Sequence, residues 1–291
     1  MSVPVIDGLA AIAERFDAFL LDQWGVVHDG THPFPGVADA LKRLRVRGKR
    51  VLLLSNAPRR AAESITRLTG MGLPPGLFEA AVTSGEAVHQ ALAARDDPAF
   101  AALGTRYLHL GRADGTDDVL AGLHLTRVDD VAHAEFLVVA NLPNRSDILA
   151  VYDPVLDTAA RRGLPMVCAN PDRFVVHAGR TEPCAGSVAE RFRARGGAVI
   201  YRGKPFREVF DLALVRLPGI RRARVLMVGD GLETDILGAR NAGVSALLIT
   251  GGLLAGRWGC APTARPDASR IAEACAEAGV APDWATATLT W

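Results

Sequence analysis

Four places along this 291-residue chain set chemically useful side chains directly after short apolar runs. They are Asp22 in FLLDQWGVVHDG, Ser55 and Asn56 in VLLLSNAPRR, Lys204 in YRGKPFREVF, and Asp230 with Asp235 in VLMVGDGLETDILGARNAG. Two carboxylates brought together can hold a hard cation such as Mg²⁺, and Asp22 with Asp230 supply them. Asp235, five residues after Asp230 at an expected helix start, is either a further ligand or a group that orients the others. Ser55 and the N–H groups after it could cradle the oxygens of an anion, with Asn56 in the same cradle. Lys204 could place a point charge on a phosphoryl group and orient Asp22. Taken singly, each has an ordinary structural reading. An Asp before Gly makes a turn or a helix cap, Ser-Asn caps a helix, Gly-Lys-Pro turns at the surface, and Asp235 serves a helix N-terminus. The ordered set carries the argument.

These residues need elements to position them. The runs 19–21, 51–54, 80–82, 198–201, 225–228 and 246–249 are strand-sized, apolar, and end in polar residues or glycine. That pattern suits parallel strands buried on both faces. Helical stripes lie between several of them, at 37–46 before Gly48, at 208–217 before Pro218, and at 234–241 before Ala242 and Gly243. The βαβα rhythm predicts an α/β fold with an open, doubly wound parallel sheet, whose ligands bind at the carboxyl ends of the strands. Residues 86–182 have strands of their own (107–110, 136–140, 166–169), helices at 117–123 and 148–162, and a turn at Asn170-Pro171-Asp172. About a hundred residues are too many for a loop. The expected organisation is a core of 1–85 plus 183–291, with 86–182 as an inserted α/β domain.

The formal net charge is +1, from 33 basic and 32 acidic residues. No basic excess supports nucleic-acid binding, although a local positive pocket is compatible with that total. The apolar runs are too short to span a bilayer, and the N-terminal stretch, broken by Asp7, Glu14 and Asp17, does not read as a targeting signal. Cys168, Cys184, Cys260 and Cys275 form no C-x-x-C pair and read as buried free thiols. A cytoplasmic protein is expected. A homodimer is compatible with the sequence, which offers no test of it.

The four signatures in this order resemble the haloacid dehalogenase (HAD) superfamily. The insert after the second signature, with Pro35-Gly36, Asn170-Pro171-Asp172 and the closing G-D-x-x-x-x-D, is similar to the class IIA, NagD-like phosphatases. The resemblance implies a Rossmann-like core, an inserted specificity cap, a small phosphate ester as substrate, and Mg²⁺. Asp22 is then the nucleophile, forming an aspartyl-phosphate that water opens. Asp22, Asp230, Asp235 and the backbone carbonyl of Trp24 are the implied metal ligands. Asn170 and Asp172 are candidate substrate contacts where the insert returns to the core, with Arg173, His177 and Arg180 behind them.

One position departs from that pattern. The family's phosphatases read D-x-D-G, and the second Asp protonates the leaving oxygen. This chain reads Asp22-Gln23-Trp24-Gly25. Tryptophan cannot serve as that acid and base, whose help is worth ~10²–10⁴-fold. His28 and Asp29 are the nearby substitutes, and Asp29-Gly30 also reads as a simple turn. Three functions stay open: a metal-dependent phosphatase of reduced or narrow activity, a phosphate-ligand binder that does not turn over, and a carbon–halogen hydrolase.

Overall fold

The computed structural model describes residues 3–112, 117–142, 149–177 and 180–291. Thirteen strands follow in chain order: β1 (Ala18–Leu21), β2 (Arg50–Ser55), β3 (Ala80–Thr83), β4 (Arg106–Leu110), β5 (Thr126–Val128), β6 (Phe136–Val139), β7 (Met166–Cys168), β8 (Phe174–His177), β9 (Arg180–Pro183), β10 (Val199–Tyr201), β11 (Val225–Gly229), β12 (Ser245–Ile249) and β13 (Trp284–Thr286). They form a six-stranded sheet, a five-stranded sheet and a two-stranded hairpin among the described residues.

The chain divides into two compact units. The first contains residues 1–55, 62–82 and 204–291. Its sheet runs β13-β12-β11-β1-β2-β3, and the pairs from β13 to β2 are parallel. The chain steps from β1 to β2 on one side and later returns to pair β11 on the other. The strand order therefore reverses at β1, where an open α/β sheet forms its ligand crevice. Alternation along the strands divides the core. Leu20, Leu52, Leu54, Met227 and Leu248 share one cluster with Phe210, Ile236 and Ala239 from the helical segments. The predicted helix Val37–Val46 forms as expected, burying Val37, Ala40, Leu41 and Leu44, and Gly48 follows it at φ 67°.

The second unit contains residues 56–61 and 83–203. Its parallel sheet runs β10-β7-β6-β4-β5 and is buried on both faces. Leu108, Leu137, Val139 and Met166 pack with Phe192 on one face, and Tyr107, Phe136, Val138 and Val167 with Phe100 on the other. The expected boundary at residue 183 is therefore displaced. The run 198–201, read as a strand of the core sheet, is β10 and pairs with β7 of the second sheet. Helix Ala185–Arg193 buries Val188, Ala189 and Phe192 against that same sheet. The expected helix over 148–162 is a 3₁₀ turn, Leu149–Tyr152, followed by Asp153–Arg161, with residue 148 outside the described residues. The hairpin β8–β9 and the short strands β5 and β13 were not legible in the periodicity. No helix among the described residues is long and apolar enough to cross a membrane.

Candidate active site

Strand register brings the Asp22, Ser55 and Asp230 signatures level. Leu21 lies opposite Leu53 on one side and Val228 on the other. The Asp22 amide donates to the Val228 carbonyl at 2.9 Å, continuing the ladder one residue beyond β1. Asp22 thus leaves the central strand between the strand ends that carry Ser55 and Asp230.

Glycines let the carboxylates approach the backbone. A Cβ at Gly25 (φ 81°) would collide with the Asp230 carboxylate, as would one at Gly252. Asp230 Oδ2 accepts the Leu253 amide at 2.9 Å. Asp235 lies in a π-helical turn, Leu232–Ile236, that leads into helix Leu237–Ala242. Such turns recur at functional sites because they re-aim a side chain without ending the helix. Its Oδ2 accepts the Gly231 amide at 2.9 Å.

Lys204 closes the cluster. Its Nζ lies 2.6 Å from Asp22 Oδ1 and 2.6 Å from Asp235 Oδ1, and only 2% of its side chain is exposed. One carboxylate oxygen from each of Asp22, Asp230 and Asp235 lies within 4.8 Å of the others. Three buried carboxylates thus face one ammonium. Burial, followed by the charges of Asp22 and Asp235, pushes Asp230 well above the usual carboxylate range. Burial also pushes Asp235 up, to about 6, although Lys204 opposes the shift. Oxygen donors with excess negative charge, removed from water, fit a hard divalent cation. The donor set therefore passes a chemical test for Mg²⁺.

Trp24 begins a tightly tied loop. The Gln23 carbonyl accepts the amides of Val27 and His28, and the Gly25 amide donates to the His28 carbonyl. The indole packs edge-on against the His28 ring at 5.7 Å. Gly30 (φ 100°) lies so close to the indole that a Cβ would overlap it. His28 Nδ1 accepts the Gly30 amide at 2.9 Å. Asp29 Oδ1 accepts the amides of Thr31 and His32 at 2.8 and 2.7 Å. The bonds from His32 and Thr31 hold the Asp29 carboxyl below its usual range, so it stays ionised. Of the two readings of Asp29, the turn is the one that forms.

Ser55 and Asn56 are buried at the end of β2. Asn56 Nδ2 donates to Asp172 Oδ1 at 2.7 Å, and Asn170 Oδ1 accepts the Asp172 amide at 3.1 Å. Asn170 and Asp172 thus form the Asx turn that an N-P-D sequence favours. Arg173 pairs with Glu190 and lies over the Phe174 ring. The backbones of His177 and Arg180 belong to the hairpin, and their side chains lie outside the described residues. All four cysteines are free, Cys168 and Cys275 buried and the other two partly exposed. Sequence reasoning missed Gly25 and Gly252, because a lone Gly gives no sign of the distant carboxylate it must admit.

Buried aspartates and a lysine thus gather at the switch point of a parallel sheet, where open α/β folds bind their ligands. Residues 19–125 match the family described as haloacid dehalogenase-like hydrolase, and residues 201–278 match the HAD-hydrolase-like family. Glycerol-3-phosphate phosphatase of Rattus norvegicus is 30% identical over 269 residues, covering 81% of this chain and 79% of that protein. A haloacid dehalogenase-like hydrolase from Brucella suis superposes with a TM-score of 0.82 at 28% identity, covering 98% of this chain and 100% of its own. A glycerol phosphate phosphatase of Mycobacterium tuberculosis, solved with magnesium, gives a TM-score of 0.63 at 28% identity, covering 83% and 70%. The chain belongs to the haloacid dehalogenase-like hydrolases, in their NagD-like, phosphatase-type class.

Proposed function

We propose that this chain hydrolyses a small phosphate ester with a weakly basic leaving group, using Asp22 as nucleophile. The observation that carries the reading is the buried set of Asp22, Asp230, Asp235 and Lys204. Asp22, Asp230, Asp235 and the Trp24 backbone carbonyl would hold Mg²⁺. When bound, the ion supplies positive charge that offsets the repulsion between nucleophile and phosphate. A carboxylate oxygen of Asp22 attacks phosphorus, the P–O bond to the leaving group breaks, and an aspartyl-phosphate forms. Water then opens it, releasing phosphate and restoring the carboxylate. Lys204 pairs with Asp22, which fixes the direction of its carboxylate, and adds charge beside the phosphoryl oxygens. Ser55 and the amides after it cradle those oxygens.

The leaving oxygen sets the substrate class. Trp24 stands where the family's acid stands, and its indole N–H donates a hydrogen bond without transferring a proton. Asp29 is ionised within its turn. A leaving group that departs as a stable anion, such as that of an aryl or acyl phosphate, needs no proton at that moment. The second unit would act as the specificity cap.

The test is phosphate release with Mg²⁺ from aryl, acyl, sugar and nucleotide phosphates, with Asp22→Asn as control. Release from aryl or acyl phosphates that is abolished in the variant supports the reading. Trp24 also favours a second reading, a phosphate binder without turnover. Tight phosphate binding without release would select it. Halide release without metal would overturn both.

A further inference from the structure

The chain entering Lys204 is held by a set of contacts within the second unit. The Ser84 hydroxyl donates to the Arg202 carbonyl, and the Arg202 guanidinium pairs with Asp97. Gly203 follows at φ 147°. A Cβ there would lie 2.6 Å from Asn56 Oδ1 and 2.8 Å from Pro171 Cδ, so only glycine fits the slot between that amide and that ring. Asn56 is itself fixed, because its Nδ2 donates to Asp172 Oδ1 at 2.7 Å. Asp172 is fixed in turn by the Asx bond from its own amide to Asn170 and by its carbonyl, which accepts the Gly186 amide at 3.0 Å. Gly186 has no room for a Cβ against the carbonyls of Pro171 and Asp172, so helix Ala185–Arg193 sits directly on this turn.

The Asn56 amide is held through Nδ2 by Asp172, and its Oδ1 occupies the space a side chain at position 203 would need. Asn56 is 2% exposed. A side chain so placed shapes its neighbours instead of reading a leaving group. The residue after the slot is Lys204, whose Nζ must meet Asp22 and Asp235 at 2.6 Å. Its backbone starting point is set by Gly203.

We propose that Asn56, Asp172 and Gly203 are positioning residues that aim Lys204, and that the side chains of Asn56 and Asp172 do not contact the substrate. This inference rests on Lys204 acting as the cation of the phosphatase site. A displaced cation weakens the charge on the transition state more than it weakens ground-state binding, so kcat should fall with KM nearly constant. The loss should be equal for substrates with different leaving groups.

The test compares Asp172→Ala, Asp172→Asn, Asn56→Ala, the double variant Asn56→Ala/Asp172→Ala, and Lys204→Met. kcat and KM are measured on an aryl and an acyl phosphate, and orthovanadate affinity by calorimetry. Asp172→Asn keeps an acceptor oxygen for Asn56 and should stay within about twofold of the parent. Asp172→Ala should lose about tenfold in kcat on both substrates, with about the same loss in vanadate affinity. The double variant should be no worse than its poorer single, because one contact has been removed twice. Thermal melting separates variants that merely unfold, and Asp172→Asn keeps the test open if Asp172→Ala does. A KM rise that differs between the substrates, or additive losses in the double variant, overturns the inference. If Lys204→Met costs neither turnover nor vanadate affinity, the reading of the site itself fails, and the inference with it.

Discussion

Two neighbouring parts of the first unit make opposite use of the same device. In the aspartate cluster, Gly25 and Gly252 yield space to a carboxylate, and three acids crowd around one lysine in a buried site. In the loop that starts at Trp24, Gly30 yields space to an indole, and the polar groups of His28 and Asp29 are turned inward on their own backbone. The first region concentrates unbalanced charge. The second ties His28 Nδ1 and Asp29 Oδ1 to its own backbone amides. On the proposed reading, attack on phosphorus would draw on the first region alone, and proton delivery to the leaving oxygen would have to come from elsewhere.

Gly25→Ala should break the contrast most severely. Its new methyl overlaps the Asp230 carboxylate, and its φ of 81° strains any L side chain. Phosphate release should fall at least about 100-fold, the scale of losing a well-placed charged group, while a melting scan shows whether the fold survives. Adding Mg²⁺ is the next largest expected effect. Asp230 and Asp235 have raised folded values, so ionising them costs stability that grows as pH climbs from the ordinary 3.8 through those values. A cation that binds the ionised pair removes this cost. The Mg²⁺-induced rise in Tm should be larger at pH 7.5 than at pH 5, and Asp230→Asn should abolish most of it.

Trp24→Asp sharpens the comparison by restoring an acid to the second region. Turnover of an alkyl phosphate should rise about tenfold or more relative to that of an aryl phosphate, at the lower edge of what general acid help supplies. An equal change on both substrates would remove proton delivery from the explanation. Asp29→Asn should have the smallest effect. The lowered folded value of Asp29 means that its contribution is complete above the ordinary 3.8 and fades as acid brings the pH through that lowered value. The variant should melt within a degree or two of the parent at pH 7, and the difference should vanish at pH 2.5.

The strand ends were readable because polar residues stop apolar runs sharply there. Asp22, Ser55, Lys204 and Asp230 stood out as an ordered set at the ends of apolar runs, and the family resemblance lent them roles. The helix Val37–Val46 was equally legible, since Val37, Leu41 and Leu44 lie on one stripe and a glycine follows the helix. Sheet membership was not. Residues 198–201 look like any other buried run, and only pairing with β7 assigns them to the second sheet. The Asn56–Asp172 bond spans 116 positions, and neither residue's neighbours announce it. Asp29 was ambiguous in sequence because one motif serves both a proton donor and a turn. Two backbone amides show that the turn forms.

Of the four joins between the units, the first and the last fall at Ser55–Asn56 and Gly203–Lys204, each a single peptide bond beside a proposed reactive group. A recombination that exchanged the second unit for a relative's would place its splice points there. Chimeras should therefore travel better when the donor fragment brings its own equivalents of Asn56 and Gly203, with the cuts made on the far sides of Ser55 and Lys204.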